Sequence, residues 1–270
     1  MVYRLRGSGP PVLFLHGYPT SGRLWDPVVE RLASRLTCIA VDLPGLGASP
    51  PLPGPPDPDA MAGEVEALRA DLALPAWSVV GHDAGAVVAV HYAARHPERI
   101  DRLALLSPPL FPDLRPPWIF KLLRTQGIGD VLAPLAVLAL WNGGLRAMLD
   151  RPTPALDDIL DDFSRPFRGL AGARRLLWLL RWGDPKEVLA RTAALLPRIA
   201  VPTLVLQGRR DTAVPPSFAR RAAAAIPGAR AVELDAGHFL PLDAPEALAA
   251  ELETFLAGRE GEVQASVISK

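Results

Sequence analysis

Hydrophobic and polar positions fall into two alternating patterns along this chain. Short apolar runs closed by turn residues occupy residues 11–15, 36–41, 77–81, 100–106, 202–206 and 231–234. Runs of this length read as strands buried in a parallel sheet. Residues 2–5 read as a short leading strand. Between these runs, apolar residues recur at helical spacing over 25–35, 58–73, 84–95, 216–225 and 244–256. Strands that alternate with helices predict an α/β chain with a mostly parallel sheet and helices on both faces.

The alternation breaks once. Residues 110–197 hold no readable strand, and their helical pattern is interrupted by Pro and Gly. Four of the six Trp lie there: Trp118, Trp141, Trp178 and Trp182. A helical insertion between two strands reads as a cap over the carboxyl ends of the strands, the edge where open α/β sheets bind ligands. The expected organisation is therefore a core of 1–109 and 198–258, a helical cap of 110–197, and a disordered tail of 259–270. The Pro-rich stretch 48–58 reads as a rigid connector.

Composition narrows the partners. The 270 residues are 49% hydrophobic, enough for a large core, and 29 basic residues balance 29 acidic ones. A net charge of zero argues against a nucleic-acid or anionic-membrane partner. The single cysteine, Cys38, excludes an intrachain disulfide. Residues 1–10 carry no signal pattern, and the longest apolar run, 131–140, is too short to span a bilayer and is interrupted by Pro134. The expectation is a soluble, cytoplasmic protein of open oligomeric state. No histidine or cysteine stands at metal-ligand spacing, and no glycine-rich phosphate loop follows a strand, so neither metal nor cofactor is expected.

The chemistry gathers at strand ends. Gly81-His82-Asp83-Ala84-Gly85 joins an apolar strand to a helix by a G-x-D-x-G turn. A turn this sharp projects its central side chain above the sheet edge, beside a helix N-terminus that stabilises negative charge. Asp83 alone would pass for a helix N-cap, His238 for a structural histidine, and Asp211 for a turn former. Yet Asp211 follows the strand ending at Leu206, and His238 follows the last strand. The order nucleophile, acid, histidine, each just past a strand, favours the catalytic reading. After the strand at 11–15, His16, Gly17 and Pro19 form a supporting loop around Tyr18. Its backbone N–H and that of Ala84 are the expected oxyanion hole. His82, His91 and His96 read as packing or surface residues, and Asp42 as the anchor of its own loop.

Taken together, these motifs resemble the α/β-hydrolase superfamily over residues 2–257. An elbow Asp with an HGYP loop is similar to haloalkane and haloacetate dehalogenases and to epoxide hydrolases. The resemblance implies the α/β-hydrolase fold and a covalent ester on Asp83, cleaved by water that His238 and Asp211 activate. The chain also departs from each family. Ala84 stands where haloalkane dehalogenases place a halide-binding Trp. The Tyr of this chain are Tyr3, Tyr18 and Tyr92, so 110–197 lacks the two that epoxide hydrolases place in the lid. Ala84, Val87 and Val88 replace the Arg by which fluoroacetate dehalogenases grip a carboxylate. Candidates to line the pocket or help the leaving group are Trp118, Trp141, Asn142 and a protonated carboxyl among Asp157, Asp158, Asp161 and Asp162. The expected substrate is a small to medium hydrophobic epoxide or alkyl halide, with water. Two alternatives stand beside it: an esterase- or lactonase-like acyl hydrolase, and a ligand-binding homologue without turnover.

Overall fold

The computed structural model describes residues 1–116, 118–139, 145–147, 149–150, 156–181 and 183–258. Its strands are β1 (Tyr3–Arg6), β2 (Pro11–Leu15), β3 (Thr37–Val41), β4 (Trp77–His82), β5 (Ile100–Leu106), β6 (Thr203–Gly208) and β7 (Arg230–Leu234). They form one sheet in the order β1-β3-β2-β4-β5-β6-β7. Only β1 runs antiparallel to its neighbour, β3. The rest pair in parallel, as apolar runs separated by helices require.

The register explains why both faces are covered. One row crosses the sheet through Ile39, Leu13, Val79 and Leu103, and the next through Ala40, Phe14, Val80, Ala104 and Leu204. The first row packs into one apolar core and the second into another on the opposite face. Helices α1 (Asp26–Leu32) and α12 (Pro245–Leu256) line the second core, and α2 (Pro58–Asp71), α3 (Ala84–Arg95) and α10 (Ser217–Ala225) the first. Strand β4 lies between β2 and β5 and is buried along its whole length. The turn that follows it therefore hangs from the stiffest part of the molecule.

Helix α1 is shorter than its periodicity suggests. A 3-10 turn, Gly22–Trp25, precedes it, with Ser21 Oγ accepting from Arg23 N–H. A four-residue helix, α11 (Leu240–Asp243), stands before α12 and is not apparent from the sequence. Between β5 and β6 the described residues form only helices: α4 (Trp118–Arg124), α5 (Ile128–Ala139), α6 (Leu145–Ala147), α7 (Asp157–Ser164), α8 (Gly169–Leu180) and α9 (Pro185–Leu195), with 3-10 turns at Arg165–Phe167 and Leu196–Arg198. Trp141, Asn142, Trp182 and the tail 259–270 lie outside the described residues.

This insertion reaches the loops at the carboxyl ends of the strands. Phe120 and Phe167 meet the ring of Tyr18 edge-on, Ser21 Oγ donates to Asp162 at 2.6 Å, and Trp178 Nε1 donates to Gly54 O at 3.1 Å. Among the described residues no helix is long and apolar enough to cross a membrane.

Leu105 in β5 is fully buried in the first core. Leu105→Ala is expected to cost about 3 kcal/mol of unfolding free energy, as transfer and cavity terms add. Urea denaturation measures it, and a loss below about 1 kcal/mol would contradict this packing.

Candidate active site

Asp83 sits between β4 and α3 at φ 51° and ψ −120°. This left-handed conformation is costly for a residue with a Cβ, on the order of 1–3 kcal/mol. It persists because the surroundings are tight. A Cβ on Gly85 would come within 2.5 Å of the Leu15 and His16 carbonyl oxygens, and one on Gly17 within 2.4 Å of Asp83 Cβ. The loop after β2 therefore lies directly against the elbow, which only glycine permits at these two points.

The side chain of Asp83 does not cap α3, although its residue type suits that role. Oδ1 instead accepts the Tyr18 backbone N–H at 3.0 Å. The Ala84 N–H also stabilises the carboxylate. Oδ2 lies 3.7 Å from His238 Nε2, beyond direct hydrogen-bond range, and the side chain is 18% exposed. One oxygen is thus held by the main chain and the other faces the imidazole.

The opposite ring nitrogen fixes that imidazole. His238 Nδ1 and Asp211 Oδ2 are 2.9 Å apart, so Nδ1–H donates and a neutral ring presents its Nε2 lone pair to Asp83. Asp211 is itself saturated. Oδ1 accepts from the N–H groups of Ala213 (2.8 Å) and Val214 (2.9 Å), and Oδ2 also accepts from Gln207 Nε2 (2.8 Å). Gln207 Nε2 lies 3.3 Å from Ser107 Oγ, across the gap between β5 and β6.

The electrostatics follow from burial and these partners. Burial raises the Asp83 carboxyl, opposed by the His238 charge and the Ala84 and Tyr18 N–H groups, and the net shift is upward. Burial also opposes ionisation of Asp211, but the His238 hydrogen bond and charge outweigh it and hold that carboxyl low. For His238 burial disfavours the cation, yet the Asp211 bond and charge, with the Asp83 charge, raise it above the ordinary value.

Two further histidines brace the site. His16 Nε2 accepts the Leu43 N–H at 2.9 Å, so Nδ1 carries the proton and donates to Gly17 O at 2.8 Å. Burial lowers its pKa, and the neutral ring ties the loop after β2 to the loop after β3. Pro19 completes the turn, which closes with Thr20 N–H on Gly17 O at 3.1 Å. His82 Nε2 donates to the His238 carbonyl at 2.9 Å, and burial pushes its pKa down to about 3. It lies next to Asp83 in sequence but holds the backbone of the histidine, a role that spacing alone does not reveal. Gln207 and Ser107 are equally silent in the sequence, because their partner arrives only when β5 and β6 pair.

Other candidates lie elsewhere. Trp118 opens α4 and is 73% exposed. Asp157 pairs with Arg146, Asp161 with Arg168, and Asp162 with Ser21 and Arg165, so these acids are engaged away from Asp83. Asp42 holds its own loop, accepting from Gly22 N–H at 2.7 Å and Ala48 N–H at 2.8 Å. Among the described residues no group of three or more His, Cys, Asp or Glu is arranged to hold a metal ion.

A profile of the alpha/beta hydrolase family matches residues 12–251. The chain belongs to that family. This alpha/beta hydrolase is 34% identical to the pimeloyl acyl-carrier-protein methyl ester esterase of Chromobacterium violaceum, over 92% of its own length and 96% of that protein's. It is 31% identical to a haloalkane dehalogenase of Mesorhizobium japonicum, over 92% of its own length and 85% of that protein's. Among solved structures, the haloalkane dehalogenase from Bradyrhizobium elkani superposes with a TM-score of 0.81 at 27% identity, covering 96% of this chain and 94% of that one. The hydrolase thus has relatives that differ in the bond they cleave and share the framework.

The raised His238 pKa has a direct readout. Its imidazolium should persist above pH 6.5, with the neutral base appearing only as pH rises through a higher midpoint. Asp211→Asn removes the largest raising contribution, so that midpoint should drop. Histidine NMR titration measures both, and a wild-type midpoint at or below 6.5 would contradict the geometry.

Proposed function

We propose that this hydrolase opens a small to medium hydrophobic epoxide or alkyl halide through a covalent ester on Asp83. The observation that carries the reading is the division of the Asp83 carboxylate, with Oδ1 on the Tyr18 N–H and Oδ2 3.7 Å from His238 Nε2, on a side chain that is 18% exposed. A carboxylate is already nucleophilic and needs no base for its first step. Oδ2 forms a bond to an sp³ carbon of the substrate. The carbon–halogen or carbon–oxygen bond breaks, and its electron pair leaves with the halide or the ring oxygen. Water then adds to Cγ of Asp83 and gives a proton to His238 Nε2, while Asp211 stabilises the resulting imidazolium. Negative charge develops on Oδ1, which already accepts the Tyr18 N–H, while the Ala84 N–H stabilises the same carboxyl group. Collapse releases the alcohol, which takes the proton from His238, and leaves Asp83 as a carboxylic acid. Its remaining proton passes to bulk water after halide loss, or back to the donor of the ring oxygen after epoxide opening, which restores the carboxylate. On this reading the helices between β5 and β6 act as a cap that excludes bulk water.

The leaving atom needs a donor, and Tyr18 supplies a candidate. Its hydroxyl is buried with no hydrogen-bond partner among the described residues, and burial raises its pKa, so it stays protonated. The ring meets Phe120 and Phe167, both from the segment between β5 and β6, edge-on, each with ring centroids 6.4 Å away.

The esterase of Chromobacterium violaceum supports a second reading, attack on an activated acyl group. Substrate panels separate the two. Single turnovers with halides, epoxides and esters should leave an alkyl adduct on the Asp83 peptide of His238→Gln enzyme only for the first two classes. Mass spectrometry detects the adduct, and its absence with every halide and epoxide would refute the ester mechanism. Tyr18→Phe should slow ester formation roughly 10-fold while leaving ester hydrolysis nearly unchanged, corresponding to about 1.4 kcal/mol at the transition state. Rapid-quench kinetics separate the two steps.

A further inference from the structure

Asp150 belongs to the insertion, yet its main chain and side chain both engage the loops that carry Asp211 and His238. Its carboxylate meets Arg210 in a bidentate pair, Nε to Oδ1 at 2.8 Å and Nη2 to Oδ2 at 2.7 Å. Arg210 immediately precedes Asp211, and its N–H donates to Ala236 O at 3.0 Å. The same guanidinium also pairs with Asp235, on the loop that leads to His238. From its other side, Asp150 N–H donates to Asp243 Oδ1 at 3.0 Å. Asp243 Oδ2 accepts the N–H of Gly237, the residue before His238, at 3.1 Å. One residue of the insertion therefore grips the acid loop through its side chain and the histidine loop through its backbone.

A surface ion pair contributes little to holding a loop in place. That description suits the Arg210–Asp235 contact, whose side chains are 43% and 59% exposed. It does not suit Asp150, 18% exposed and bidentate, or Asp243, which is buried. None of these contacts reaches the elbow, which depends on β4 and the loop after β2.

We propose that Asp150 is a positioning residue that fixes His238 and Asp211 relative to Asp83 from within the insertion. It acts on the water-activating half of the reaction and not on ester formation. The kinetic consequence rests on the ester mechanism proposed above, whereas the geometric claim does not.

Two arms test it in the full-length protein. In the first, proton NMR follows the His238 Nδ1–H that donates to Asp211. The resonance should be sharp in wild type and exchange-broadened or lost in Asp150→Ala and Arg210→Gln, with Asp150→Asn in between because it keeps one acceptor. In the second, single turnovers use 1-bromobutane or styrene oxide, whichever His238→Gln enzyme captures. Ester formation in Asp150→Ala should stay within about 2-fold of wild type, while ester hydrolysis slows on the order of 10-fold and adduct accumulates. An unchanged Nδ1–H resonance in both variants would overturn the proposal, and so would an equal loss in both steps with a lowered Tm. If His238→Gln captures none of the halides and epoxides, the ester mechanism fails, and the NMR arm still decides the role of Asp150.

Discussion

The site depends on how one carboxylate is shared. Asp83 is half-buried, held at a backbone angle most residues avoid, and divided between a main-chain N–H on one oxygen and an imidazole facing the other. Strand β4 and helix α3 leave the side chain no alternative, because the loop after β2 closes against it at Gly17 and Gly85. Strain at such a turn survives only where the fold determines it on every side. Here the determination comes from a strand buried on both faces in the middle of a seven-stranded sheet.

On the ester mechanism proposed above, the same arrangement orders the proton transfers. In the free enzyme the Asp83 charge helps to raise His238, alongside the stronger pull of Asp211. Once Asp83 is esterified that charge is gone, while burial and Asp211 remain. The imidazole then gives up its proton more readily, at the stage where a neutral base is needed. On that mechanism the two coupled groups pass through complementary protonation states as the proposed bond to carbon forms and breaks. A serine at the elbow would need His238 as base from the start, so the residue type at position 83 separates the proposed chemistry from acyl hydrolysis by a serine.

Much of the framework was legible because each candidate site residue follows a strand that apolar runs mark clearly. Asp83, Asp211 and His238 stand one to a few residues beyond β4, β6 and β7, so parallel pairing alone brings them to one edge. The HGYP loop was legible for the same reason, since it follows β2. Residues that act across the fold were not. Gln207 and Ser107 are 100 positions apart, and Asp150 is 60 from Arg210 and 93 from Asp243. No periodicity encodes such pairs. Aromatics in the insertion were ambiguous for a different reason: helical spacing does not tell which face is covered, and Trp118 turned out to face solvent.

The central claim is that Asp83 itself bonds to carbon and is regenerated by water. A single turnover in heavy-oxygen water with enzyme in excess over substrate tests it most directly. The account predicts heavy oxygen in the carboxylate of the peptide containing Asp83 and ordinary oxygen in the alcohol released. Heavy oxygen found only in the product, with an unlabelled Asp83 peptide, would mean that water attacks the substrate directly, and would contradict it.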